Sequence, residues 1–461
     1  MLTNLEIHNF KSWRSTGAMR LAPMTALFGS NSSGKTSLLQ LLLMLKQTAD
    51  SPDRAQPLNL GDERGLVELG TFPDILYAHD LNSVLAWEMG WRLPKMLKIE
   101  NPAHKNDLLF QGDTLGFSAE IAWKGDGDVT GRPVAQKISY DFAGHQFQMQ
   151  LKQNGKADFE LSSQPPDFEF TRTRGRPWGL PAPSKCYGFP DKVRAYYQNA
   201  AFLSDFELAF ENLFGRTFYL GPLRDYPQRQ YTWAGARPVD MGRRGERVVD
   251  ALLAAREMGA TIARGRGKKR LTVEERVAIW LKELGLVEHF EIRSIAPGSK
   301  LFQVAVRRTA QAPEVLITDV GFGVSQVLPV ITLCYYAPEG STLLLEQPEI
   351  HLHPHVQAGL ADVFIDAIKS RNIQIILESH SEYLLRRLQR RIAEEILPAD
   401  AAALYFARIE AGESKLDALQ LDAYGNITNW PKNFFGDEMG ELVAMTQAAM
   451  RRKIAERAEK Q

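Results

Sequence analysis

Gly29-Ser30-Asn31-Ser32-Ser33-Gly34-Lys35-Thr36 is the stretch that decides the fold of this 461-residue chain. It spells G-x-x-x-x-G-K-[ST], a loop that wraps phosphate. Met24 to Phe28 before it is a short apolar run and reads as a strand. Ser37 to Lys46 after it is rich in leucine and reads as a helix. The glycines let the backbone close around an anion with no Cβ in the way. Backbone amides and the helix N-terminus then face the phosphates. The pattern therefore gives Gly29, Ser30, Asn31, Ser32, Ser33, Gly34, Lys35, Thr36 and Ser37 to a nucleoside triphosphate such as ATP. Lys35 is expected on the β- and γ-phosphates and Thr36 on Mg²⁺. The bland alternative, a glycine-rich turn, does not explain the strand and helix on either side.

Composition narrows the setting. Hydrophobic residues make up 44% of the chain and charged residues 24%, as in ordinary globular proteins. Lys+Arg and Asp+Glu both count 55, so the net charge is zero, and any contact with nucleic acid has to come from a local patch. Two cysteines, Cys186 and Cys334, stand far apart without metal-ligand neighbours, which argues against a disulfide framework and fits a reducing cytoplasm. The first residues carry no basic region followed by an apolar stretch, so no signal peptide is expected. No run approaches the roughly 18 apolar residues of a membrane span.

Along the chain, residues 1–80 read as the N-terminal part of a nucleotide-binding lobe. Residues 81–215 read as an antiparallel β-rich insertion plus a helix. Ser118–Trp123, Lys137–Phe142, Gln146–Lys152 and Asp158–Leu161 look like short strands, with turn signals at Lys124–Asp128 and Asn154-Gly155. Residues 164–191 are rich in proline and irregular, and Ala195–Leu213 reads as one helix. Residues 216–410 complete the lobe, with strands and helices alternating from Leu301 onward as in a parallel α/β sheet. Residues 411–461 form a tail ending in a helix from Glu438 to Ala455.

The far half holds the other parts of a nucleotide site. Leu343-Leu344-Leu345-Glu346 is an apolar strand ending in a carboxylate that suits Mg²⁺ beside the phosphate loop. After Gln347-Pro348-Glu349-Ile350-His351-Leu352-His353-Pro354 comes a second apolar strand, Ile373 to Leu377, then Glu378-Ser379-His380-Ser381. His380 is placed to meet the γ-phosphate and the attacking water. Asp319 to Gln326 opens a helix with a glycine-rich turn, a second N-terminus able to face phosphate.

In this order the set resembles the ABC-type P-loop ATPases of the SMC/RecF/OLD class. Asn9 to Ser12, the phosphate loop, the Pro-Glu-x-x-Leu-His-Pro run and Ser379-His380-Ser381 carry the resemblance over roughly residues 1–80 and 215–410. The tail from Tyr424 to Gly440 is similar to a C-terminal segment of a bacterial subfamily without an assigned function. The resemblance implies an α/β fold with the insertion and a short helical tail added, ATP and Mg²⁺ as ligands, and an ATP-dependent homodimer. In such a dimer Gly321, Gly323 and Ser325 serve the partner's nucleotide. It also points to a sensor or clamp in bacterial anti-phage defence that acts with a separately encoded effector.

Three departures matter. Glu346 stands where the family more usually has Asp. Gln347 stands where it has the catalytic Glu, and glutamine cannot accept water's proton; losing a general base typically slows a reaction by ~10²–10⁴-fold. The signature turn is Gly321-Phe322-Gly323 rather than Ser-Gly-Gly. Gln347, Glu349 and His380 are thus the catalytic set, with Glu349 a substitute base if the strand continues, and hydrolysis is expected to be slow. The spacing of His351, His353 and His355 does not suit a metal. Arg224 and Arg229 are either solvated or in contact with nucleotide or a dimer mate. The basic cluster Arg264 to Arg270 is a solvated loop or a nucleic-acid contact. Trp430, Phe434 and Phe435 read as a packing anchor. A RecF-like DNA-repair ATPase is the main alternative. An OLD-type nuclease is the lesser one, because only about fifty residues follow Phe406 and a Toprim domain needs more.

Overall fold

In the computed structural model the described residues are 1–101, 107–125, 131–152, 158–175, 179–263, 269–431, 434 and 443–452. The chain begins with β1 (Leu2–Phe10), β2 (Trp13–Ser15) and β3 (Met19–Arg20), then enters β4 (Met24–Gly29) and α1 (Lys35–Asp50). After α2 (Phe72–Ile75) come five antiparallel strands: β5 (Val84–Glu100), β6 (Leu108–Lys124), β7 (Arg132–Phe142), β8 (His145–Leu151) and β9 (Phe159–Gln164). β6, β7 and β9 run longer than the sequence suggested, β8 is shifted by one residue, and β5 was not expected. The sheet order is β2-β1-β5-β6-β7-β8-β9, with β3 also on β1. β1 is hydrogen-bonded directly to β5, so the insertion grows out of the N-terminal strands and residue 80 marks no seam.

Two helices, α3 (Asp191–Tyr196) and α4 (Leu203–Gly215), replace the single helix expected over Ala195–Leu213. The break has a visible cause. The Asn199 side chain accepts from the Thr171 amide at 2.8 Å and donates to the Glu169 carbonyl at 2.9 Å, drawing the chain out of helical geometry.

The remaining strands are β10 (Thr217–Leu220), β11 (Tyr231–Thr232), β12 (Thr261–Ile262), β13 (Leu271–Thr272), β14 (His289–Ser294), β15 (Leu301–Arg307), β16 (Val315–Leu316), β17 (Thr342–Glu346), β18 (Gln374–Glu378), β19 (Ala402–Glu410) and β20 (Glu413–Leu419). The helices among them are α5 (Val248–Glu257), α6 (Val273–Glu283), α7 (Phe322–Tyr336), α8 (Pro354–Arg371) and α9 (Glu382–Ala393). The central sheet has the order β10-β17-β18-β4-β19-β20, parallel except for β20. β17 and β18 are buried at every position, as strands covered on both faces must be. β15, expected in this sheet, instead pairs antiparallel with β14 and β16 in a small separate sheet. Its partner β14 alternates exposed and buried residues too weakly to stand out in the sequence.

Side-chain alternation on β4 splits the interior in two. Leu27 joins the core shared by α1 and the antiparallel sheet, whereas Met24, Ala26 and Phe28 join the core under α5 to α9. The tail adds to the second core: Phe434 stacks on Phe406 at 4.7 Å and lies 5.9 Å from Phe28. That confirms Phe434 as a packing anchor. Trp430 packs on Phe434 and under Arg386. The basic cluster from Arg264 to Lys268, Phe435 and both ends of the expected C-terminal helix lie outside the described residues; 443–452 is helical.

One buried side chain ties the two sheets together. Gln374, at the start of β18, accepts from the Leu2 amide at 2.9 Å, donates to the carbonyls of Leu2 and Ala22 at 2.7 and 3.1 Å, and accepts from the Thr342 hydroxyl at 3.1 Å. Gln374→Leu keeps the volume and orphans buried backbone groups of β1. We expect a loss of about 2–4 kcal/mol in denaturant unfolding, since each unsatisfied buried polar group costs roughly 1–3 kcal/mol.

Candidate functional site

The phosphate loop is glycine-bound by geometry. Gly29 has φ +140°, and a Cβ there would sit 2.0 Å from the Ala407 carbonyl oxygen on the neighbouring β19. Gly34, left-handed at φ +88°, caps α1, and a Cβ there would meet the hydroxyls of Ser12 and Ser414 at 2.7 Å. Ser30, Asn31 and Ser32 are exposed at the rim, while Ser33 is buried and donates to the Ser30 carbonyl at 2.8 Å. Ser37 continues α1, its amide on the Gly34 carbonyl at 3.1 Å. Lys35 is buried, and its ammonium donates to the carbonyls of Ser30 at 2.7 Å and Gly29 at 3.1 Å. Burial lowers its pKa, opposed by Glu378 and Glu349.

The strand order sets what faces the loop. β18 lies between β4 and β17, and Glu346 and Glu378 are register partners at the carboxyl ends of adjacent strands. Ligands of open α/β sheets bind at that edge. Glu378 is buried; it accepts from the Thr36 hydroxyl at 2.7 Å, with Lys35 at 4.0 Å and the His380 ring at 3.9 Å. The sequence reading did not single it out. The signal was present, because Ile373–Glu378 repeats the pattern of Leu343–Glu346: an apolar strand ending in a carboxylate. Glu346 accepts from the Tyr219 hydroxyl at 2.9 Å, and burial pushes its pKa up to about 7. Tyr219, on β10, was likewise missed.

The expectation that the strand carries on to Glu349 is not met. β17 stops at Glu346, Gln347 turns left-handed at φ +41°, and residues 348–351 form a turn. The Gln347 amide donates to the Glu378 carbonyl at 2.9 Å. The turn still brings Glu349 into the site, buried, where it accepts from the Ser379 hydroxyl at 2.8 Å and the His380 amide at 2.7 Å. Its second oxygen has no partner among the described residues. Burial raises the pKa of Glu349 and lowers that of His380; Lys35 pushes His380 down further.

His353 caps α8 by accepting from the His355 amide, and His351 packs its ring 5.6 Å from Phe322. Among the described residues no group of His, Cys, Asp or Glu forms a metal cluster. Both cysteines are buried and free, and no helix among the described residues is long and apolar enough to cross a membrane.

The turn at Gly321 and Gly323 stands apart from the phosphate loop. Gly321 caps α7, Ser325 donates to the Phe322 carbonyl of its own helix at 2.8 Å, and no hydrogen bond among the described residues joins the turn to residues 29–37. Beside it Phe322 and Tyr226, their rings 5.7 Å apart, are exposed at 41% and 75%. Arg229 is exposed and paired with Asp319 at 2.7 Å, whereas Arg224 is buried.

The raised pKa of Glu346 fixes a sign. A carboxyl whose folded pKa lies above its unfolded value of about 4.5 destabilises the fold as pH rises between the two values. Glu346→Gln should therefore raise the melting temperature of the nucleotide-free protein most at pH 7 and above. The gain, up to about 3 kcal/mol at 1.36 kcal/mol per pKa unit, should vanish near pH 4.5. Melting curves across that range check it.

Comparison with known proteins adds to this geometry. Residues 292–386 match the family model described as "AAA domain, putative AbiEii toxin, Type IV TA system", and residues 397–445 match "Protein of unknown function (DUF3696)". No curated protein matches. Among solved structures, an SMC head bound to the C-terminal winged-helix domain of ScpA is similar at TM-score 0.47 and 12% identity over 91% of this chain and 98% of that one. The SMC head domain from Thermotoga maritima scores 0.39 at 11% identity over 91% and 99%. An SMC head with an extended coiled coil, bound to a ScpA domain derived from Pyrococcus furiosus, scores 0.44 at 11% over 91% and 96%. Values this low add no weight of their own. The phosphate loop, with one strand between it and Glu346, and the match of residues 292–386 to an AAA-domain model give this chain the layout of a P-loop ATPase lobe.

Proposed function

We propose that the protein binds ATP with Mg²⁺, dimerises on it, hydrolyses it slowly, and acts as a sensor or clamp with a separately encoded effector. One observation carries this reading: a complete phosphate-binding half-site is paired with a glutamine where a base would stand. Lys35 and the loop amides hold the phosphates. Thr36, Glu346 and Glu378 supply the oxygen ligands that suit Mg²⁺, and bound Mg²⁺ neutralises charge on the phosphates. The buried Thr36–Glu378 contact fits such a site, since a hydroxyl and a carboxylate are already side by side at the loop.

Gln347 can orient water and cannot take its proton. Glu349 has one oxygen committed to the Ser379 hydroxyl and the His380 amide, so its role in this reading is to position the switch histidine. The exposed Gly321 turn, rimmed by Phe322 and Tyr226, has no nucleotide of its own to serve and fits a second copy of the chain across the site. The matched model's description names a toxin of a type IV TA system, which agrees with a chain that works beside another component in defence.

Lys35→Ala should abolish ATP-induced dimerisation in sedimentation velocity; an unchanged ATP-dependent dimer would rule out the sandwich arrangement. Gln347→Glu should raise steady-state ATP turnover by 10-fold or more, roughly, if the absent base limits the rate. Unchanged turnover would move the base role to Glu349 or the limiting step to product release.

A further inference from the structure

Arg224 has no ordinary reason to be where it is. Its side chain is 4% exposed, and Nε, Nη1 and Nη2 are all buried without a hydrogen-bond partner among the described residues. A guanidinium carries five N–H donors, and burying a charge unpaired is strongly unfavourable. Burial lowers its pKa only to about 10, so it stays charged at neutral pH. We propose that Arg224 binds the terminal phosphate of the nucleotide and is the residue by which this site separates a triphosphate from a diphosphate. The proposal rests on the reading of residues 29–37 as a nucleoside triphosphate site.

Placement supports it. The loop carrying Arg224 leaves the carboxyl end of β10, beside β17 and its terminal Glu346, on the side of the site away from β4. Two strands, β17 and β18, separate β10 from β4 and its phosphate loop, so the phosphate farthest from the nucleoside is the one that comes toward Arg224. The backbone there is fixed in advance: the Gly221 amide donates to the Arg243 carbonyl at 2.7 Å and the Asp225 amide to the Arg244 carbonyl at 3.1 Å. Asp225 is further held by an ion pair with Arg244 at 3.0 Å. The carboxylates acting on Arg224 are those of the site, Glu349 and Glu346, and Glu349 also acts on Lys35. Glu349 has one oxygen unpartnered among the described residues, and neither carboxylate is bonded to Arg224. A planar fork that passes over two nearby carboxylates is free for the paired oxygens of a phosphate.

The test uses the full chain with Mg²⁺, calorimetric binding of ADP and of a non-hydrolysable ATP analogue, and the variants Arg224→Met and Arg224→Lys. The analogue should bind Arg224→Met about 10–100-fold more weakly, the scale of a charge-assisted pair, while ADP stays within about threefold. Arg224→Lys, which keeps charge and loses the fork, should fall between. Melting of nucleotide-free Arg224→Met should be no lower than wild type, because the lost group had no partner. Retained ADP binding shows that the variant is folded. An undiminished analogue affinity, or equal losses for ADP and analogue in both variants, overturns the assignment of Arg224. A wild type that binds neither nucleotide overturns the triphosphate reading, and this inference with it; Lys35→Ala, losing both ligands where wild type binds them, separates the two failures.

Discussion

Three buried carboxylates, Glu346, Glu349 and Glu378, lie close together, with buried Lys35 4.0 Å from Glu378, and the surrounding structure serves to keep them there. Burial is the main reason that Glu346 and Glu349 are pushed upward in pKa, and the charge of Glu378 adds to it. The arrangement persists because it is over-determined. Glu346 and Glu378 are fixed by strand register, and Glu349 by two hydrogen bonds to the segment after β18. Such a cluster is a poor way to stabilise a protein, and a bound cation would offset its charge.

The same logic explains why the site is built between sheets rather than within one. β4 is packed so closely against β19 that Gly29 admits no side chain. Ser12 and Ser414, hydrogen-bonded to each other at 2.7 Å, close against Gly34 from two distant parts of the chain. The phosphate loop is thus clamped by the N-terminal strands and by the β19–β20 hairpin at once. Gln374 fastens those N-terminal strands to β18, the strand that carries Glu378. A displacement of the antiparallel sheet would therefore be felt at the phosphate loop through groups that touch both.

Much of this was legible in the sequence because its signals are local. A phosphate loop is eight contiguous residues, and an apolar strand ending in an acid is five or six. The parts that escaped depend on pairing between distant segments. Glu378 takes its meaning from lying beside Glu346 in register and under Thr36, and Tyr219 from a hydrogen bond across 127 positions. The split of the expected helix at Ala195–Leu213 came from Asn199 bonding to residues some thirty positions earlier. The strand at Leu301 was rightly seen as a strand and wrongly assigned to the parallel sheet, because β14 carries too few apolar residues to announce itself.

Gln347 and Glu349 show how little sequence proximity says about function at a turn. Both follow the same strand, and a continued strand would have placed them on the same face. Instead Gln347 takes a left-handed conformation that is uncommon for a residue with a side chain, and the chain reverses within four residues. Strain of this kind, of order 1–3 kcal/mol, persists only where the surroundings enforce it. Here the Gln347 amide is tied to the Glu378 carbonyl and Glu349 to the Ser379-His380 segment, so both ends of the turn are anchored to β18 and its exit. The strand that separates the phosphate loop from Glu346 is thereby also the strand that shapes the turn after Glu346. The His380 amide is thereby tied to Glu349, and through the turn to His351 and the exposed Phe322 beside it. A route of direct contacts thus runs from the buried site to the face proposed for the second chain.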